Sequence, residues 1–287
     1  MKKFLLTAAC CAVSLVILAV SQGIALAIGG TLVFVKIPAY ICATVSAVLY
    51  ALIAYAGVKF LIAVLFRLNL SEIGIKKFSL CPMWCITAIL LPLAVVTAFI
   101  CMNGRWSVLL EDTYTKITTA VNGIVFYSIA AGIVEEMIFR CVIMGIIRRN
   151  YNIKSAVIIP SVLFGAVHII GNDLNLISII QLVIAGTMVG IMFSLILLES
   201  NNFWNNAIVH AIWNMSTIGL LHIGTESSDL SVYTYVLKSD SNIITGGDFG
   251  IESSVIAIAG YVAVSIIAFI MIKRKGNSVH EIMGQLS

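Results

Sequence analysis

Eight apolar runs, separated by short polar clusters, divide the chain at roughly 4–27, 39–65, 82–101, 119–147, 155–170, 175–198, 204–222 and 253–272. About 20 consecutive apolar residues wound as a helix cross the hydrocarbon core of a bilayer. Most of the runs reach or approach that length; the fifth and seventh are short or interrupted by polar residues. Of the four prolines, Pro38, Pro82, Pro92 and Pro160, three fall at or near the starts of runs, where a missing N–H is tolerated. No fixed-period repeat and no Pro-, Gly- or Ser-rich linker breaks the series. The pattern predicts one all-α membrane domain over 1–287, a polytopic transmembrane helical bundle of about eight spans, with 119–222 as the core helices that carry the candidate catalytic residues.

Composition excludes the soluble classes. Hydrophobic residues make up 61% of the chain and charged residues 10%, with a mean hydropathy of +1.09, whereas soluble domains carry about 25% charge. The net charge of +4 is modest, and the basic residues sit in short clusters between apolar runs. That is the signature of membrane orientation rather than of nucleic-acid binding. The seven cysteines lie mostly inside apolar runs, where a thiol is a small apolar side chain. Cys81 and Cys85 have helix-turn spacing without a second pair to complete a metal site.

Basic residues orient the bundle. Lys2 and Lys3, Arg67, Lys76 and Lys77, Arg148, Arg149 and Lys154, and Lys273–Lys275 fall on one side; Lys36, Arg105, Lys116 and Lys238 fall on the other. The richer side is cytoplasmic by the positive-inside rule, which predicts a multi-pass protein of the cell membrane with both termini in the cytoplasm. The first run has a signal-like flank at Ala25-Leu26-Ala27, but its length exceeds the 7–15 residues of a signal h-region. A retained helix is expected.

Charges inside the runs carry the chemistry. A charge near the bilayer centre costs at least about 2.5–3.5 kcal/mol on insertion scales, yet Glu135, Glu136 and Arg140 occupy six residues of the fourth run. Glu136 and Arg140 are spaced i, i+4 and pair along one face. Glu135 lies about 100° around the helix and is left to meet another neighbour. An unpaired carboxyl in low dielectric suits a general base working near neutral pH. A purely architectural Glu–Arg brace accounts for Glu136 and Arg140 but leaves Glu135 unused.

The fifth run places Phe164 and His168 at i, i+4, with His168 roughly level with Glu135. The seventh places His210 and Asn214 one turn apart. His222 and His280 read as solvated. Two imidazoles and a carboxylate form a known catalytic zinc set, so Glu135, His168 and His210 are candidate ligands of one divalent metal; a metal-independent, hydrogen-bonded water is equally open. Ser161 and Ser216 belong to no evident triad. Activation of water for hydrolysis is the reading these groups support.

At these residues the chain resembles the CAAX protease and bacteriocin-processing family of intramembrane proteases, also called Abi or CPBP. Glu135-Glu136-Met-Ile-Phe-Arg140 matches its Glu-Glu-x-x-x-Arg motif, Phe164-Gly-Ala-Val-His168 its Phe-x-x-x-His motif, and His210-Ala-Ile-Trp-Asn214 its His-x-x-x-Asn motif. Leu70–Lys77 looks like the short cytoplasmic signature that precedes the core. The resemblance implies a polar cavity open to cytoplasm and lipid, and hydrolysis of a peptide or protein substrate with either zinc or a glutamate mechanism. It implies that Glu135 activates a water, His168 holds it, and His210 with Asn214 binds the oxyanion.

Three other readings stand beside it: a non-catalytic membrane immunity protein that binds a bacteriocin-like peptide, a transporter with a proton relay, and a silent scaffold. A transporter predicts matching broken helices in two halves, which the sequence does not show. One point is awkward. If the seventh helix starts near Phe203, His210 lies only about 10 Å in, so either the 199–206 loop dips into the bundle or the boundary is wrong.

Overall fold

With no water in the bilayer core to take up free N–H and C=O groups, an apolar run must satisfy its backbone internally, and a helix does so residue by residue. The structure, a computed structural model, describes residues 2–239 and 241–275. Asp240 and His280 fall outside the described residues. The first runs form α1 (Lys2–Phe34), α2 (Ala39–Leu61, continued in π winding by Ile62–Phe66) and α3 (Pro82–Ile100, with Pro82 in its first turn). Beyond them come α4 (residues 113–150), α5 (Ile153–Val167), α6 (Leu176–Ser200), α7 (Trp204–Asn214) and α8 (Val255–Arg274). Pro92 and Pro160 lie inside α3 and α5, where neighbouring helices can compensate the missing N–H.

Among the described residues, α1, α2, α3, α6 and α8 are long and apolar enough to cross a membrane. Leu52, Ile89, Ile184 and Ile267 on these helices are exposed, as side chains facing lipid would be. The three other expected spans take different forms. The fourth is an unbroken helix over 113–150, α4, that switches to π winding at Asn122–Ala130 and Met137–Ile143. The fifth stops at Val167, where His168 begins a turn that ends on Gly171 at φ +84°. The seventh is eleven residues of α-helix plus a π turn over Met215–Gly219.

The helical bundle carries one small sheet besides its helices. A three-stranded sheet is built from β1 (Gly104–Val108), β2 (Leu221–Gly224) and β3 (Tyr233–Leu237) in the order β1-β3-β2. β1 and β3 are antiparallel, with Gly104 opposite Leu237; β2 and β3 are parallel, with Leu221 opposite Tyr233. Strands of four or five residues are invisible to a search for spans, although Trp106, Val108, Tyr233, Tyr235 and Val236 are of types that favour strands. His222, read above as solvated, sits half-buried in β2, and burial holds its imidazole below the ordinary range.

Both ends of the bundle turn polar backbone inward. On the basic side, Asn202 Nδ2 donates to Lys77 O at 3.0 Å, Phe203 N to Gly74 O at 3.2 Å, and Cys81 N to Asn205 Oδ1 at 2.7 Å. The 201–206 turn therefore dips into the protein, and α7 begins inside it. Glu199, at the end of α6, is buried between Trp84 Nε1 and Lys275 Nζ at 2.8 and 2.7 Å. At the opposite end, the segment 241–254 folds back to pack against α6 and α8 and reaches His168 just beyond α5. The Asp248 carboxylate accepts from Asn175 N at 2.9 Å, and its N–H donates to Ser178 Oγ at 3.0 Å, pinning the segment to the start of α6.

Candidate active site

Helix α4 sets the first groups. Glu136 and Arg140 are both fully buried, with Arg140 Nε 3.4 Å from Glu136 Oε2. Arg140 Cζ lies 4.7 Å from the Phe164 ring centroid, 5.5 Å from that of Phe193 and 5.7 Å from that of Phe139. The guanidinium is thus held by one carboxylate and three aromatic rings, an arrangement that offsets part of its desolvation. The other carboxylate oxygen of Glu136 accepts from His210 Nδ1 at 3.0 Å, and Oε2 also accepts from Asn206 Nδ2 at 3.2 Å.

Glu135 faces away from this pair. Its Oε2 lies 4.0 Å from His168 Nε2 and 3.8 Å from His210 Nε2, and this buried oxygen has no hydrogen-bond partner among the described residues. Both imidazoles are oriented from behind. His168 Nδ1–H donates to Phe164 O at 2.7 Å, and His210 Nδ1–H donates to Glu136. Their Nε2 atoms are therefore the ones turned toward Glu135. Phe164 is the hub of the packing: its ring centroid is 4.7 Å from that of His168 and 6.0 Å from that of His210. The His210 ring also stacks on Phe193 at 4.9 Å.

Asn214 completes the cluster one turn beyond His210. One of its Nδ2 hydrogens goes to Tyr127 O at 3.0 Å, leaving the second for the cavity. Glu135, His168, His210 and Asn214 line one cavity of about 190 Å³, with walls that include Tyr50, Phe126, Leu182 and Val189. Glu136 and Arg140 stand behind it, with Glu136 hydrogen-bonded to His210. His210 reaches this depth because α7 starts from the inward-turned 201–206 loop, not from the bundle edge.

Three residues of the site escaped the sequence reading. Asn206 is fully buried and bridges Glu136 to Phe193 O at 2.6 Å; its signal was the polar run Asn201-Asn202 and Asn205-Asn206 at a helix start. Phe249 and Glu252, from the folded-back segment, also line the cavity. The Phe249 ring stands edge-on to His168 at 6.1 Å. Burial pushes the Glu252 carboxyl above its ordinary range, while a hydrogen bond from Thr217, the nearby His168 and His210 imidazoles and a hydrogen bond from Trp213 pull it back. Nothing in the sequence set Glu252 apart from the other acids of that outer segment.

The donors Glu135 Oε2, His168 Nε2 and His210 Nε2 have the chemistry of a catalytic zinc set, and their far ring nitrogens are hydrogen-bonded as ligating histidines require. Zinc–nitrogen bonds of about 2.0 Å in a tetrahedron bring neighbouring ligand atoms to roughly 3.3 Å, closer than the 3.8 and 4.0 Å observed. Among the described residues no group of three or more His, Cys, Asp or Glu is gathered as a metal-binding set.

The family model described as Type II CAAX prenyl endopeptidase Rce1-like matches residues 117–216, the stretch that holds Glu135, Glu136, Arg140, His168, His210 and Asn214. No curated protein and no solved structure matches the chain.

Proposed function

We propose that this multi-pass membrane protein, whose residues 117–216 match the Rce1-like family model, is an intramembrane endopeptidase that hydrolyses a peptide bond with water activated by Glu135. The observation that carries the reading is the buried, unpartnered Oε2 of Glu135 set between two imidazole Nε2 atoms. His168 Nε2 and Glu135 Oε2 are both acceptors, so one water can donate a hydrogen to each. As the water oxygen attacks the substrate carbonyl carbon, Glu135 takes its proton and the carbonyl π electrons move onto oxygen.

The free N–H of Asn214 and the Nε2 side of His210 are the groups available to that oxyanion. His210 Nδ1 already donates to Glu136, so donation from Nε2 requires both protons on the ring, with Glu135 and Glu136 as flanking countercharges. Collapse of the tetrahedral intermediate breaks the C–N bond, and the proton held by Glu135 passes to the departing amine. The apolar walls at Tyr50, Phe126, Leu182 and Val189 suit apolar peptide side chains.

The test is turnover of apolar peptide substrates by the full chain purified in detergent. Glu135→Gln keeps the shape but cannot accept the proton, and turnover should fall by about 10²–10⁴-fold with an unchanged melting temperature. Full activity in Glu135→Gln would sink the base assignment and favour a peptide-binding immunity role. Excess EDTA should leave turnover unchanged; loss restored by zinc would instead assign Glu135, His168 and His210 as metal ligands.

A further inference from the structure

Glu252 lies far along the chain from the three motifs, yet it touches the helix that carries two of their residues. Its Oε1 accepts from Trp213 Nε1 at 2.8 Å and from Thr217 Oγ1 at 2.7 Å. Trp213 and Thr217 are one helical turn apart, and they bracket Asn214. The winding of the chain changes between them, from α through Asn214 to π over Met215–Gly219. A switch of winding turns the two sides of the junction relative to one another, so its position bears on which way Asn214, the last α-wound residue, faces against the rest of the bundle. One carboxylate oxygen spans that junction.

Glu252 is itself fixed from three directions. Its carbonyl accepts from Tyr261 OH on α8 at 3.1 Å. Ser253 beside it donates from Oγ to Gly246 O at 2.6 Å, and Asp248 ties the same turn to α6. Cavity, clamp and anchor thus meet at one residue of the folded-back segment.

We propose that Glu252 is a positioning residue for the hydrolytic site: through Trp213 and Thr217 it sets where α7 changes winding, and thereby aims Asn214 and His210 at the cavity. The proposal rests on the endopeptidase reading. It assigns Glu252 the work of a hydrogen-bond acceptor and gives its charge no part in the chemistry. The amide of glutamine retains an acceptor oxygen at the same place.

Peptide turnover by the full chain in detergent, with kcat and KM measured separately, tests this. Glu252→Ala should lower kcat at least tenfold with KM changed less than threefold, because the oxyanion donors are misaimed while the apolar walls remain. Glu252→Gln should restore kcat to within threefold of the parent. Thr217→Val removes one clamp donor while preserving side-chain shape; it should lower kcat several-fold in the parent and add nothing to Glu252→Ala, since the partner is already gone. That variant keeps the test alive if the alanine variant folds poorly. Parent-like kcat in Glu252→Ala would overturn the proposal, and so would a Glu252→Gln variant as slow as Glu252→Ala, which would make the carboxylate a chemical participant. A parent enzyme that cleaves no peptide would fail the endopeptidase reading instead.

Discussion

Two adjacent glutamates divide one site because their side chains leave the helix in different directions. Glu136 and Arg140 are both fully buried, so replacing the carboxylate strands a guanidinium in a low-dielectric interior. Breaking such a pair costs about 3–5 kcal/mol. Glu136→Gln should therefore lower the melting temperature of the purified protein as well as its turnover, whereas Glu135→Gln lowers turnover alone. Equal melting loss in both variants would mean the arginine is held by the other glutamate. Glu252 makes a second residue-level prediction, in pH. Its carboxyl is pushed above the ordinary range by burial, so the folded state binds this proton more tightly than the unfolded chain. The resulting stability is present below the ordinary glutamate value and is lost as pH rises through the raised one. Measured by melting across that window, the parent should lose stability with rising pH relative to Glu252→Gln, which has no proton to lose; parallel curves would refute it.

Helix pairs hold these residues at their distances. α5 and α6 pack along one another, and they approach so closely that a Cβ on Gly186 would collide with Gly165 Cα. Small residues at such crossings let helices approach in a membrane, and here the contact sits one residue from Phe164 and three from His168. Gly186→Ala should cost about 1–3 kcal/mol by overpacking and reduce turnover by shifting His168. Gly30→Ala, where a Cβ meets nothing within 4 Å, should do neither. Elements of this kind were only partly legible in the sequence. The helices α1, α2, α3, α6 and α8 follow from side-chain hydropathy alone, because a bilayer-length apolar run has no other stable backbone. The π winding of α4 and α7 left no mark, since it rearranges hydrogen bonds without changing composition. The three motifs were legible because charge and imidazole stand out in an apolar run. Glu252 was not, because in a polar segment one more acid carries no contrast, and only tertiary folding brings it under α7. The depth of His210 depended on Asn202, Asn205 and Asn206, whose side chains bond backbone groups where the chain enters the bundle.

At the scale of the whole molecule, a hydrolytic cluster covered by the 241–254 segment on one side and flanked by basic loops on the other implies a definite placement in the bilayer. The basic loops at Arg67–Lys77 and Arg148–Lys154 should face the cytoplasm. In a Cys101→Ser background, a membrane-impermeant thiol reagent should label Ser227→Cys on intact cells and Lys77→Cys only after permeabilisation. The reverse pattern would invert the bundle and put the small sheet, with exposed Trp106 and Tyr233, in the cytoplasm.

The π-wound stretches of α4 carry a last consequence. An α-helix climbs 1.5 Å per residue, but a π stretch packs more residues into each turn and climbs less. Counting residues from Glu135 to Arg148 therefore overstates how far the base lies from the inner boundary, and the carboxylate is shallower than its place in the sequence suggests. The same slack uncouples length from phase. Loss of one residue within Met137–Ile143 could be absorbed by tightening to α winding, with both ends of the helix left near their present heights. Rotation would be kept as well, because seven residues at about 4.4 per turn and six at about 3.6 per turn both sweep roughly 1.6 turns, leaving a helix one residue shorter with its two halves still in step.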